Sequence, residues 1–257
     1  MRRLFLATLS VLALSGGARA ADLLLKSPHA QAAAMGAAVS NWSGFYVGGN
    51  LGYGWGNGNT DFSFLPTPAE FGTNNTTLGT RSTGVIGGAQ FGYNWQIGSL
   101  VTGLEADIQG SSIKGSVHPA LTDAAGFLNV VSSEHRLSWF GTVRGRLGVT
   151  VTPDLLLYGT GGLAYGHVDA SANWFNGLQA PASVSKTKVG WTAGVGAEWM
   201  FAHNWSAKIE YLYLDLDLGS DSAIGNLPPQ VPPQFQVRYT WRTRENIARV
   251  GVNYHFN

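Results

Sequence analysis

The sequence predicts an all-β chain, an eight-stranded antiparallel transmembrane β-barrel with short turns at one end and four long connections at the other. Three observations predict it. The N-terminus carries an export signal, apolar and polar residues alternate with a period of two in eight later segments, and the connections between those segments alternate short and long.

Arg2 and Arg3 supply a positive start, residues 4–14 are apolar, and Ala18, Arg19 and Ala20 form a small-residue cleavage site. This is the layout of a secretory signal, removed between Ala20 and Ala21. The apolar stretch is too short for a spanning helix, which needs roughly 20 residues. Cleavage removes Arg2, Arg3 and Arg19 and leaves 13 basic against 15 acidic residues, a net charge near −2. That balance gives no field to hold a nucleic acid. The chain has no cysteine, so disulfides cannot brace it after export. Charged residues are only 12% of the chain, against roughly a quarter in soluble domains. No later apolar run reaches spanning-helix length. Lipid offers the backbone no partners, so such a chain crosses it only as a closed barrel. Residues 21–41 are expected to form a periplasmic arm and residues 42–257 the barrel.

The first strand, 45–55, sets Phe45, Val47, Leu51, Tyr53 and Trp55 against Tyr46, Gly48, Asn50, Gly52 and Gly54. The second, 85–95, sets Val85, Ala89, Phe91, Tyr93 and Trp95 against Ile86, Gln90 and Asn94. In the third, 100–109, Leu104, Ala106 and Ile108 oppose Glu105, Asp107 and Gln109. In the fourth, 136–149, Leu137, Trp139, Val143, Leu147 and Val149 oppose Arg136, Ser138, Thr142, Arg144 and Arg146. The fifth, 155–168, is too rich in Leu and Gly to assign faces. In the sixth, 189–201, Trp191, Val195 and Trp199 oppose Thr192 and Glu198. In the seventh, Trp205, Ile209, Tyr211 and Tyr213 oppose Ser206, Lys208 and Glu210. In the eighth, Val250, Val252, Tyr254 and Phe256 oppose Arg249, Asn253 and His255. Such alternation marks strands.

Short turns fall at 97–99, 152–154 and 202–204, and long connections at 56–82, 111–134, 169–188 and 217–237. The last holds Pro228, Pro229, Pro232 and Pro233, which stop strands. Short periplasmic turns and long extracellular loops are the habit of outer-membrane barrels. Eight strands leave an interior only wide enough for side chains to fill. The small, Gly-rich face therefore points inward and the bulky one meets lipid. Trp55, Trp95, Trp139, Trp199, Trp205, Tyr211, Tyr213, Tyr254 and Phe256 sit near strand ends, where interfacial aromatics belong. The inward charges balance: Glu105, Asp107, Glu198 and Glu210 against Arg144, Arg146, Lys208 and Arg249. Charges in a narrow lumen must pair, so these eight are expected to form a structural network that plugs it. The rival expectation is an ion path lined by the same groups.

Certain stretches carry a family resemblance. They are Ala21-Asp22-Leu23, the run from Trp42-Ser43-Gly44-Phe45-Tyr46-Val47-Gly48-Gly49 to Trp55-Gly56, the run from Leu157-Tyr158-Gly159 to Tyr165-Gly166, and the closing Val250-Gly251-Val252-Asn253-Tyr254-His255-Phe256. Together they resemble the small porin-like outer-membrane proteins of alpha-proteobacteria, similar in architecture to the OmpA transmembrane domain. The resemblance implies an abundant envelope protein tied to membrane integrity and surface exposure, with haem binding or weak porin activity in some relatives. It supplies no catalytic residues. Asn257 after Phe256 departs from the terminal aromatic read by the barrel assembly machinery.

Other chemistry is thin. Gly159, Gly161 and Ala164 match a dinucleotide pattern, but the helix and acidic residue it needs do not follow. Ser183 and Lys186 fit S-x-x-K without companion motifs. His118, His135 and His167 are candidates for a surface haem or metal site, and Asp215, Asp217 and Asp221 for a cation site. The expectation is a structural surface protein of the outer membrane, not an enzyme, with no cofactor. Outer-membrane lipid, lipopolysaccharide and the assembly machinery are its expected partners, and no nucleic acid.

Overall fold

The computed structural model describes residues 41–65, 75–122, 128–175, 179–217, 221–226 and 236–256. The signal with its Ala20–Ala21 junction, the arm before residue 41, the proline pairs and Asn257 lie outside the described residues. Among those described, no helix is long and apolar enough to cross a membrane, and the regular structure is strand throughout.

Eleven strands follow one another: β1 (Gly44–Leu65), β2 (Asn75–Ile97), β3 (Leu100–Val117), β4 (Ala120–Thr122), β5 (Leu128–Thr152), β6 (Leu155–Phe175), β7 (Gln179–Ala202), β8 (Trp205–Asp215), β9 (Asp221–Asn226), β10 (Gln236–Arg242) and β11 (Arg244–Phe256). Eight make an antiparallel ring, β1-β2-β3-β5-β6-β7-β8-β11, which β11 closes on β1. β10 continues β11 across Thr243. Its pairing with β1 keeps the same register, from Phe45 opposite Phe256 to Leu65 opposite Gln236. The short strand β4 pairs only with β5, and β9 pairs with β10.

Tight turns at Gly98-Ser99, Pro153-Asp154 and His203-Asn204 join β2 to β3, β5 to β6 and β7 to β8. Gly98 takes φ of +62°, a conformation that a side chain disfavours. At the other end the strands run far past the membrane. β1 is 22 residues long and β5 is 25, where roughly 10 suffice to cross. The segments expected as long connections are mostly paired ribbon. β1 and β2 stay paired to Ser63 and Asn75, and β6 and β7 to Phe175 and Gln179. The signal that marks a membrane strand is an apolar outer face. Above the lipid that face meets water and turns polar, while the inner face carries a polar layer and then an apolar core.

The inner faces stack in layers. At the short-turn end Trp42, Val101, Leu156, Tyr158 and Met200 close the mouth. The Trp42 indole donates to the Pro153 carbonyl (3.0 Å), and its ring stands edge-on to His255. Next comes the charged layer, then an apolar one with Ile86, Ile113, Leu137, Phe140, Leu212 and Ile247. A polar layer follows, with His135, Thr243 and Glu245 buried in it. Beyond it Phe62, Leu78, Val131, Trp174, Tyr239 and Trp241 form a core for the projecting wall. Read backwards, β11 and then β10 record this order in their inward residues: His255, Asn253, Arg249, Ile247 and Glu245 on β11, Trp241 and Tyr239 on β10.

Outward faces agree with the sequence for every strand that was assigned, except at two residues of the fourth, Leu137, expected outward, and Arg136, expected inward. Leu137 was placed on the lipid face. It is fully buried inside, because the β5–β6 register shifts between Leu137 and Trp139. A bulge inverts the parity of everything beyond it, so Arg136 projects outward and is exposed. The unassigned fifth segment puts Leu157 and Leu163 outward and Tyr158 inward. Val143 lies outward between Ala106 and Leu163, near mid-height of the apolar band. Val143→Arg is expected to destabilise the folded barrel in lipid vesicles by about 2–4 kcal/mol, read as a lower urea midpoint. An unchanged midpoint would show that this face does not meet hydrocarbon.

Candidate functional site

The ladder sets the charged layer. Glu105 lies directly opposite Arg144, Glu210 opposite Arg249, and Glu198 opposite Lys208. Opposite charges at such positions attract, but the side chains reach further than their ladder neighbours. Arg144 on β5 donates to Glu105, to Asp107 (3.0 Å) and, across the lumen, to Glu210 on β8 (3.2 Å). Arg249 on β11 binds Glu210 (2.7 Å) and crosses to Asp107 (3.1 Å). Lys208 leaves its ladder partner and donates to Glu105 on β3 (2.9 Å). Glu198 is held instead by Arg146 (2.6 Å). The structure thus brings all eight predicted charges into one cluster, and none is more than 5% exposed.

Neutral groups complete it. Tyr46 donates to Glu105 (2.8 Å) and Tyr158 to Glu210 (3.1 Å). The Arg146 guanidinium lies over the Tyr158 ring, 4.1 Å from its centre. Thr142 donates to Asp107, and Ser206 and Asn253 to Glu198. An amide chain links Asn50 to Gln90 and Gln90 to Asn253. Glycine makes room for the rings: a Cβ on Gly196 would lie 2.5 Å from the Tyr158 hydroxyl. Sequence reasoning put Tyr46 on the inner face but gave it no role. Tyr158 was missed, because its strand has leucine and glycine on both faces.

The nine predicted interfacial aromatics all face outward, in two girdles. Near the short turns, Trp205 packs on Tyr254 (5.2 Å between centres), Tyr254 on Phe256 (5.1 Å), and Trp199 on Phe201; Trp95 joins Tyr93 there. At the far margin Trp55 lies by Tyr211, and Trp191 by Tyr213 (5.3 Å). Trp139 faces Tyr165 and stacks on His167.

The histidine candidates do not assemble, and the side chain of Asp221 lies outside those described. His135 is 4% exposed and bonded to Thr243 (3.0 Å), so it cannot serve a surface site with His118 and His167. Among the described residues no three histidines and carboxylates form a metal-holding group. Asp215 holds Arg244 (3.1 Å), and Asp217 accepts from the Thr243 amide.

Comparison with known proteins agrees with this geometry. The family model for the outer membrane protein beta-barrel domain matches residues 27–256. The chain is 37% identical, over the whole of both chains, to the 31 kDa outer-membrane immunogenic protein of Brucella melitensis. It is 35% identical to the 22 kDa outer membrane protein of Rhizobium leguminosarum over 72% of each. Among solved structures, OprG of Pseudomonas aeruginosa is similar in fold, with a TM-score of 0.52 over 85% of this chain and 98% of that one, at 12% identity. The relatives bear the names of outer-membrane proteins, not of enzymes.

Two outcomes follow from the buried layers. Arg144→Met leaves three carboxylates short of a cation. It is expected to cost about 3–5 kcal/mol in vesicle unfolding by urea, and Glu105→Gln/Arg144→Met less than the sum of its parts. A wild-type midpoint for Arg144→Met would mean that the network does not brace the barrel. In the projecting wall, burial and the nearby Lys188 lower the pKa of His135 from 6.5 to about 4. Between those values the unfolded chain takes a proton that the folded chain refuses. Stability is therefore full above 6.5 and declines as pH falls toward 4, by about 3 kcal/mol. His135→Asn should flatten that decline when midpoints are compared across the window.

Proposed function

The chain belongs to the outer membrane protein beta-barrel family, and from that premise we propose that it is a sealed structural barrel that carries a surface-exposed wall, not a pore. It is an outer-membrane protein with a structural and surface role. The finer reading, a plugged lumen, rests on one observation: eight buried charges, each ion-paired across an eight-stranded ring, lie between two apolar layers. An ion entering this lumen would have to break charge-assisted bonds whose partners would then be buried alone, at several kcal/mol each. The immunogenic label of the Brucella relative supports a wall that is displayed to the outside.

The same cluster supports a non-enzymatic reading. Its carboxylates accept from arginine, lysine or hydroxyl donors. Ser183 and Lys186 lie three apart on β7, so they project from opposite faces and cannot act as a nucleophile and base. The assembly machinery and outer-membrane lipid remain the proposed partners.

Planar bilayers test the plug. Purified, folded protein is expected to give no large, steady conductance, and Arg144→Ala/Arg249→Ala to give measurable current where it folds. Steady open-channel current from the wild type would favour the narrow-pore alternative instead.

A further inference from the structure

The exposed charges are distributed unevenly. Among the described residues, every exposed lysine and arginine lies on the long-strand wall, and the three short turns carry none. Within that wall, Lys114 on β3 and Arg136 on β5 are direct ladder partners, and both face outward. Arg81 on β2 lies close by. All three line one shallow recess of about 750 Å³. Like charges directly opposite one another are destabilising. No described carboxylate lies within ion-pair distance of Arg81, Lys114 or Arg136, although each other pair of the wall, such as Arg244 with Asp215, is of opposite sign.

Two carboxylates border the recess and neither closes an ion pair with the cations, although, after the Ser185 hydrogen bond, the Arg136 charge helps to lower the pKa of Asp169 from further off. Asp169, the ladder neighbour of Arg136, accepts from Ser185 (2.6 Å) and Ser138 (3.0 Å). Glu134 stands one position higher on the same face of β5. The height of the cluster is telling. Val85, 63% exposed, lies two positions below Thr83, the ladder partner of Lys114. Trp139 of the outer girdle lies three positions beyond Arg136. The cations therefore begin where the apolar band ends, at the level of lipid headgroups. The bulge at Leu137 is what turns Arg136 outward to meet them.

We propose that Arg81, Lys114 and Arg136 form a binding site for the phosphate groups of the outer-leaflet glycolipid, lipopolysaccharide. Arginine suits a phosphate through its paired donors and lysine through its point charge. Three cations outnumber the two carboxylates of the recess, so the ligand supplies the remaining countercharge at close range, and the neighbouring Ser183 hydroxyl offers a further donor toward a sugar. The site is independent of whether the lumen conducts.

The test uses the full mature chain folded in detergent micelles, with folding verified by its heat-dependent gel mobility. Binding is measured to purified lipopolysaccharide, to the same material dephosphorylated, and to phosphatidylglycerol vesicles. Each cation near a charged membrane surface is worth about a fivefold change in affinity. Arg81→Gln/Lys114→Gln/Arg136→Gln is thus expected to weaken lipopolysaccharide binding well over tenfold. Arg238→Gln/Arg242→Gln, higher on the wall, should leave it near wild type. If the triple variant does not fold, Lys114→Gln alone should show a loss of about fivefold. Wild-type affinity in the triple variant, or in Lys114→Gln where the triple variant does not fold, would overturn the proposal. So would equal binding of the dephosphorylated glycolipid, or vesicle binding as tight as that of lipopolysaccharide.

Discussion

Arg144 and Arg249 stand among three carboxylates in a space without room for bulk water, and the rest of the barrel answers to that arrangement. Charge is tolerated inside a narrow lumen only when every ion has a partner and the remaining donors and acceptors are used. The ladder register supplies part of the first half of the condition by setting Glu105 opposite Arg144 and Glu210 opposite Arg249, while Lys208, Glu198, Asp107 and Arg146 find their partners off the ladder. Trans-lumen bonds supply much of the second, leaving Asp107 Oδ1, Arg144 Nε, Arg146 Nε and Arg249 Nη1 without a hydrogen-bond partner among the described residues. They join β3, β5, β8 and β11 through one group of side chains, so the ring is held from the middle as well as along its seams.

The apolar layers to either side extend this logic. Water reaching the ions from either mouth would weaken every Coulomb contact, because attraction falls as the local dielectric rises. Trp42 and Met200 at one mouth, and Phe140, Leu212 and Ile247 on the other side, keep the cluster dry. The layers therefore serve the ions and do not merely fill volume. The projecting wall repeats the device with His135, Thr243 and Glu245 between two apolar cores.

Much of this was legible in the sequence, for a simple reason. In the membrane both faces of each strand are constrained, one by lipid and one by the lumen, so parity alone places Glu105, Arg249 and the tryptophans. The reading weakened where one constraint lapsed. Above the lipid the outer face becomes polar, and the strands of the wall read as loops although Phe62, Leu78 and Tyr239 still point inward. Leu137 failed because a bulge is a local backbone event with no required residue type. Tyr158 failed because leucine and glycine satisfy either face. Lys208 carried a correct face but an unforeseen partner, since register predicts neighbours and not the reach of a long side chain across a cavity.

The unbroken seam between β1 and the β10–β11 rail has an implication for biogenesis. The two rims that meet there are the opening and closing stretches of the described polypeptide, nearly two hundred residues apart in sequence. No partly delivered chain can complete the cylinder, because one rim does not yet exist. Until the final residues arrive, the nascent sheet carries a long unsatisfied edge, the kind of surface that invites mispairing. Guarding that edge during delivery is a demand this architecture places on its cell, and it is set by topology before any side chain is considered.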